Sequence, residues 1–321
     1  MYNGFIFEGE AYRHRELLEL VEDLGGSILN VRIIAQEATI TFIIPEEDTP
    51  TLRKLVLELR ARLREIPLVG SEIAVVSPTI TRHHLPHPAC DIAEYLRRMG
   101  AKTNIIGLAR GVGQRVAQIT RREKTLIEEH DAAVFLLGNF DYCLLEHKWK
   151  LYKDLRIPVI VAGGPKLDHV PYASAYISGI GRIPYRTRFL SEIRKLDELA
   201  KAVGKCLDGR REMIAADPLI TSPFILKSEI EKQIEEVKTC YSPAPIVPQL
   251  DGVRVKLRYD KFASIIKKIR VGNYILEDVA EVRRSMMKNY ILIKLYPKSY
   301  VRLKELELIN SQWNHKGGIS A

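Results

Sequence analysis

The residues best suited to chemistry lie in the stretch 77–92, SPTITRHHLPHPACDI, where His83, His84 and His87 crowd the loop ahead of Cys90 and Asp91. Thiolate and imidazole are soft ligands for transition metals, and a thiolate is also a nucleophile. An apolar run at 73–76 ahead of this loop reads as a buried strand, and 88–99 behind it reads as a helix. Pro88 suits the first helical position and Gly100 the left-handed residue past the end. Ile92, Leu96 and Met99 form an apolar stripe at helical spacing. Cys90 and Asp91 then occupy a first helical turn, where free backbone N–H groups and the helix dipole favour negative charge.

A second cysteine has a similar setting. Residues 132–137 read as a buried strand, and Asp141 opens a helix expected to run to 155, which puts Cys143 in its first turn. Ligands of a parallel α/β sheet bind at the carboxyl ends of its strands. The loops there are expected at 77–88, 109–120, 138–141 and 163–171. They bring Arg82, the three histidines, Arg110, Arg115, Asn139, Gly163, Gly164 and His169 to the same rim as the two cysteines. A lone cysteine is more often a small packing residue than a ligand. For Cys90 the histidines and the helix start balance that reading; for Cys143 packing stays the commoner outcome. Cys206 and Cys240 read as packing residues. Gly111 and Gly113 do not make a dinucleotide fingerprint, and no GxxxxGK[ST] loop occurs. Gly163-Gly164-Pro165-Lys166 reads as a strand-ending turn rather than an anion cradle. A cluster commonly takes about three or four thiolates. Two at the rim therefore require histidine ligands or ligands from another subunit.

The elements around this rim follow from periodicity. Residues 3–8, 12–24, 27–34, 38–44, 50–66 and 71–76 read as β-α-β-β-α-β, the ferredoxin-like split pattern. From 71 onward short apolar strands alternate with helices: strands 103–108, 132–137, 158–162 and 173–177, helices 121–129, 141–155 and 190–206. That alternation predicts a doubly wound, mostly parallel α/β sheet. Residues 224–239 read as a charged helix on the outside of this sheet. The expected organisation is a ferredoxin-like α+β domain at 1–70, the parallel α/β domain at 71–241, a Pro-rich linker at 242–250 and a small basic α+β module at 251–321. In the last, 253–258 and 290–296 read as strands and 261–269 as a helix.

Composition narrows the function classes. The chain has 321 residues, 46% of them apolar, and a net charge of +9. Residues 251–321 hold 15 Lys and Arg against 7 Asp and Glu, while the first 250 hold 34 against 33. The basic surplus is C-terminal and suits an acidic partner, nucleic acid or a plain solvated face. No aromatic-rich stacking signature supports nucleic acid. No apolar run is long enough to span a membrane, no secretory signal opens the chain, and four scattered cysteines make no disulfide framework.

The run from Val76-Ser-Pro through Arg82-His-His, Pro88-Ala-Cys-Asp-Ile92, Ile119-Thr120, His130-Asp131 and Leu137-Gly-Asn139 to 157–161 (IPVIV) resembles the methyl-coenzyme M reductase operon protein C family of methanogenic archaea. The shared part covers roughly residues 70–205. At full length the chain is more similar to a related family, methanogenesis marker protein seven. The resemblance implies a cytoplasmic, non-catalytic subunit of the complex that reductively activates methyl-coenzyme M reductase by returning its nickel tetrapyrrole to Ni(I). It implies as partners the reductase itself, an operon protein C homologue, other methanogenesis marker proteins and an ATP-hydrolysing component. It implies a complex iron–sulfur cluster, related to nitrogenase cofactor precursors, held between subunits and passing electrons. Cys90 carries over as a cluster ligand. The shorter family has a histidine where this chain has Cys143, another soft ligand. His84, near the helix start and clear of Pro86 and Pro88, is the favoured histidine. Metal ligation is thus expected of Cys90, Cys143 and His84, and cofactor contact of Arg82, His83, His87, Asp91 and Asn139. Alternatives are a structural scaffold without ligands, a nucleic-acid-binding protein using the basic module, and a thiol enzyme pairing Cys90 with His84.

Overall fold

The structure, a computed structural model, describes residues 2–78, 88–108, 118–180, 189–242 and 244–306. Residues 1–208 and 209–321 form two compact units. The first is a mixed α/β unit with one antiparallel and one parallel sheet.

Its opening segment runs β1 (Tyr2–Glu10), α1 (His14–Asp23), β2 (Ser27–Ile34), β3 (Glu37–Pro45), α2 (Thr49–Glu58) and β4 (Arg62–Glu65). The strands lie in the order β2-β3-β1-β4, all antiparallel. Alternation sends Phe5, Phe7, Ile40, Phe42 and Ile44 to one face, where Leu17 and Val21 of α1 and Leu52 and Val56 of α2 cover them. The helix expected over 50–66 stops at Glu58. Arg60 takes a left-handed φ of 52°. The Ala61 N–H donates to Val56 O and the Arg60 N–H to Leu57 O, closing the helix end without a glycine. The chain then pairs with β1 as β4. The next strand, β5 (Glu72–Ser77), belongs to the other sheet.

The parallel sheet contains β5, β6 (Lys102–Gly107), β7 (Ala132–Leu136), β8 (Val159–Ala162) and β9 (Ala175–Ile177) in the order β6-β5-β7-β8-β9. Every residue of β5, β7 and β8 is buried, as strands covered on both faces require. Between β5 and β6 runs α3 (Pro88–Arg98); α4 (Arg121–Glu128) precedes β7, and α5 (Asp141–Glu146) follows it. Ala74, Val76, Phe135 and Val161 pack with Ile127 of α4 and Leu144 of α5. Thr103, on the other face, donates its hydroxyl to the Ala93 carbonyl of α3 at 3.1 Å. Helices thus cover both faces, with α3 opposite α4 and α5. A capping box fixes the start of α4: the Thr120 N–H donates to Glu123 Oε2 at 2.7 Å and the Glu123 N–H to Thr120 Oγ1 at 3.2 Å.

His130 and Asp131 lie at the amino ends of these strands, away from the carboxyl rim. The Glu72 N–H donates to Asp131 Oδ2, and the Asp131 N–H to Glu72 O, both at 2.8 Å. The Asn104 amide donates to Glu72 Oε1 at 2.7 Å and lies 3.0 Å from His130 Nε2. His130 Nδ1 lies 3.0 Å from Leu126 O. The ring is thus held between the Leu126 carbonyl and the Asn104 amide. The motif residues His130 and Asp131 therefore serve to tie strand starts together.

Helix α6 (Phe189–Ala216) extends ten residues past its expected end at 206; its residues from Gly209 on belong to the second unit. That unit continues with α7 (Pro223–Gln233), α8 (Glu235–Lys238), β10 (Ile246–Gln249), β11 (Gly252–Val255), α9 (Tyr259–Lys267), a small hairpin of β12 (Arg270–Val271) and β13 (Tyr274–Ile275), α10 (Leu276–Val279), β14 (Ala280–Arg284) and β15 (Ile291–Leu295). Its sheet is antiparallel in the order β10-β11-β15-β14.

Two expectations change here. Residues 246–249 form a strand instead of continuing a linker. Pro248 is tolerated because β10 is an edge strand, where a missing N–H costs no ladder bond. Helix α7 packs with this sheet rather than outside the parallel one: Leu226, Ile230, Ile234 and Val237 join Val253, Val255, Ile291 and Ile293 in one core.

Asp251 accepts a hydrogen bond from Lys294 Nζ and lies 3.4 Å from the Arg210 guanidinium, its side chain 27% exposed. Burial alone would raise its pKa. The Lys294 charge and hydrogen bond, helped by Arg210, outweigh that and hold the carboxyl below its ordinary 3.8. The stabilisation is therefore present above the unfolded-state value and is lost as pH falls below about 3.8 through the folded one. Asp251→Asn is expected to cost about 1–3 kcal/mol at neutral pH, between the values for exposed and buried pairs. Urea melts at pH 7 and pH 3 check this: the gap between wild type and variant must shrink in acid.

Candidate functional site

Strand order locates the site more sharply than the run of elements does. From β5 the chain moves outward to β6 on one side, and from β7 to β8 on the other. The pairing of β5 with β7 is therefore the topological switch point, the place in the strand order where parallel α/β sheets generally bind ligands. Cys90 and Asp91 follow β5, at the third and fourth positions of α3. Asn139 and Cys143 follow β7, and Cys143 is the third residue of α5. The two cysteines flank the same switch point from helices on opposite faces of the sheet. Cys90 is exposed and Cys143 half-buried, and neither is in a disulfide. Arg82, His83, His84 and His87 lie outside the described residues, as do Arg110, Gly111, Gly113 and Arg115.

Each helix start is held from behind. Past α3, the Ala101 N–H donates to Leu96 O and the Gly100 N–H to Arg97 O, with Gly100 at φ 99°. A β-carbon on Gly100 would come within 2.9 Å of the Val69 backbone nitrogen, so this position is closed to side chains. The Tyr95 hydroxyl of α3 donates to Asp197 of α6. Burial and that carboxylate push the phenol up to about 12, so it stays a donor through the neutral range.

Around α5, the Gly164 N–H donates to Gly138 O at 2.9 Å and the Leu137 N–H to Ala162 O at 3.0 Å, which ties the loops after β7 and β8 together. A β-carbon on Gly164 would fall 2.4 Å from Asn139 Oδ1. Gly164 is thus the floor on which Asn139 rests. The helix expected over 141–155 ends at Glu146. His147 leaves helical geometry at φ −127° and ψ −47°, and a 3₁₀ turn follows at Lys148–Leu151. That turn swings Lys148 back so that its ammonium donates to the Leu137 carbonyl. Burial pulls the Lys148 amine below its usual range, opposed by the neighbouring Cys143 side chain. Lys148 escaped the sequence reading because an unbroken helix would have carried it away from the loop.

The donor chemistry fits soft metal ions such as cluster iron, but the number of donors is small. Among the described residues no three His, Cys, Asp or Glu side chains converge as a metal site. Among the described residues, no helix is long and apolar enough to cross a membrane.

An uncharacterized protein of Methanocaldococcus jannaschii is 46% identical over 304 residues, covering 95% of this chain and 97% of that protein. A solved structure, phospho-2-dehydro-3-deoxyheptonate aldolase from Thermotoga maritima, aligns over 63% of this chain and 98% of its own at 8% identity. Its TM-score of 0.17 carries no argument about fold or activity. The profile of methyl-coenzyme M reductase operon protein C matches residues 2–269, reaching beyond 70–205 into both flanking segments. The chain therefore belongs to the methyl-coenzyme M reductase operon protein C family, which links it to methanogenesis.

Proposed function

We propose that this chain is a non-catalytic subunit of the ATP-dependent machinery that reductively activates methyl-coenzyme M reductase, of the methanogenesis marker protein seven type. It helps hold a complex iron–sulfur cluster shared with an operon protein C homologue and passes electrons towards the nickel tetrapyrrole. The observation that carries this reading is the placement of Cys90 and Cys143 at helix starts on either side of one switch point. An exposed thiol at the rim can complete a ligand set with a partner's residues, as a sealed one cannot. His84, between β5 and α3 in the sequence, is the third ligand this chain offers. Asp91, Asn139, Arg82, His83 and His87 line the cofactor, and the basic C-terminal segment docks an acidic partner.

The test is anaerobic co-purification of the chain with its partners, followed by iron analysis and visible spectroscopy. Cys90→Ala is expected to lower iron and charge-transfer absorbance together while the subunits still co-purify. A variant complex with full iron would remove Cys90 from the site and leave the scaffold reading.

A further inference from the structure

Every residue from Gly138 to Tyr142 is exposed, along the loop that leaves β7 and the first positions of α5. Phe140 is 74% exposed and Tyr142 65%, so two large rings face solvent directly ahead of Cys143. Single exposed apolar residues are ordinary, whereas two within three positions of each other form a patch. The loop beneath them is held fast: the Lys148 ammonium donates to Leu137 O, and the Gly164 N–H to Gly138 O at 2.9 Å. The Tyr142 N–H donates to Asp141 Oδ1 at 2.7 Å, and the Tyr142 and His147 rings meet edge to face with centroids 5.2 Å apart. Rings on a fixed base lose little freedom on binding.

Phe140 is a poor residue for the fold at this position. It is the N-cap of α5, in extended backbone, and makes no capping hydrogen bond. Thr120 and Ser222, at the same position ahead of α4 and α7, each accept one from a first-turn N–H. A serine at 140 would do likewise and stabilise the helix. An aromatic ring kept exposed at a cap serves binding rather than folding. Charge narrows what it binds. Asp141 and Glu146 are exposed on the same helix, and neither is in an ion pair among the described residues. Glu146 lies four positions after Tyr142, on the same helix face. Two rings beside two uncompensated carboxylates suit arginine, whose guanidinium stacks on aromatic faces and pairs with carboxylates. The same carboxylates repel a phosphate backbone, which sets nucleic acid aside.

We propose that residues 138–146 are a protein docking surface: Phe140 and Tyr142 seat an arginine-bearing face of another subunit beside Cys143, and Asp141 and Glu146 pair with its guanidinium groups. The inference rests on the proposed function only for the partner's identity, the subunit that shares the cluster. A few aromatic and arginine side chains carry most of the energy of such contacts.

The test is anaerobic titration of the full chain with that subunit. Phe140→Ser is expected to raise the dissociation constant about tenfold or more, while the melting temperature of the chain alone stays level or rises because serine adds the missing cap. Glu146→Lys should weaken binding and flatten its salt dependence. A photoreactive phenylalanine analogue at position 140 should cross-link to a partner peptide that contains arginine. A wild-type chain that binds no partner, binding indifferent to Phe140→Ser or to Glu146→Lys, or cross-links confined to a second copy of this chain would each overturn the proposal. Iron per complex is scored separately. An iron-loaded complex indifferent to Phe140→Ser removes this surface and leaves the cluster reading; an iron-free complex that depends on Phe140 does the reverse.

Discussion

The double variant Cys90→Ala, Cys143→Ala is expected to lose no more iron from the anaerobic complex than the more severe of the two single variants. Two groups that grip one centre are energetically coupled, so removing the second after the first has little left to remove. Two thiols serving separate sites, or one ligand and one packing residue, would give losses that add. The measurement is a four-way comparison of iron per complex, with subunit ratios as the control for assembly. The expected size is large, because a cluster deprived of an anchoring thiolate is exposed to solvent and chelators. Additive losses would separate the two cysteines, and the switch point would cease to be a shared site.

Gly252→Val should be the most damaging single change in the C-terminal unit. Gly252 opens β11 and sits opposite Lys294 of β15 in the antiparallel ladder. A β-carbon there would meet Ile293 O at 2.0 Å and the Ile293 carbonyl carbon at 2.9 Å. Those atoms are backbone and cannot rotate away. Strands β11 and β15 must separate, and both are central in the four-strand order. The cost is expected to be about 3 kcal/mol or more, the upper end for overpacking, because no side chain can yield. Amide exchange of residues 252–255 and 291–295 should accelerate strongly. Wild-type protection there would show that the ladder tolerates the added carbon.

What was legible in the sequence was legible for a local reason. Strands 73–76, 132–137 and 158–162 were readable because a strand buried on both faces is an unbroken apolar run. Helix α3 was bracketed by Pro88 and Gly100, and the third-position placement of Cys90 followed from that bracket. Errors arose where a residue acted against its type. Arg60 took the left-handed position usually held by glycine, and Leu63 fits a helical stripe after Leu59 as well as it fits a strand, so β4 was absorbed into the preceding helix. Pro248 reads as linker until its place at a sheet edge is known. Leu226 and Ile230 announce a buried face on α7 but not the partner of that face. His147 ends α5 with neither glycine nor proline to mark the break. The switch point is a tertiary fact: strand order has no local signature, so the sequence could place both cysteines at a rim without saying which strands carry them side by side.

The opposed helices at the switch point bear on durability as well as chemistry. More than fifty positions of chain run between Cys90 and Cys143, leaving by one flank of the sheet and returning by the other. On the proposed function, an inorganic bridge between them would cross-link the chain at that separation and shorten the excursions open to the unfolded chain. Loss of such a bridge to air would then soften the protein as well as end electron transfer.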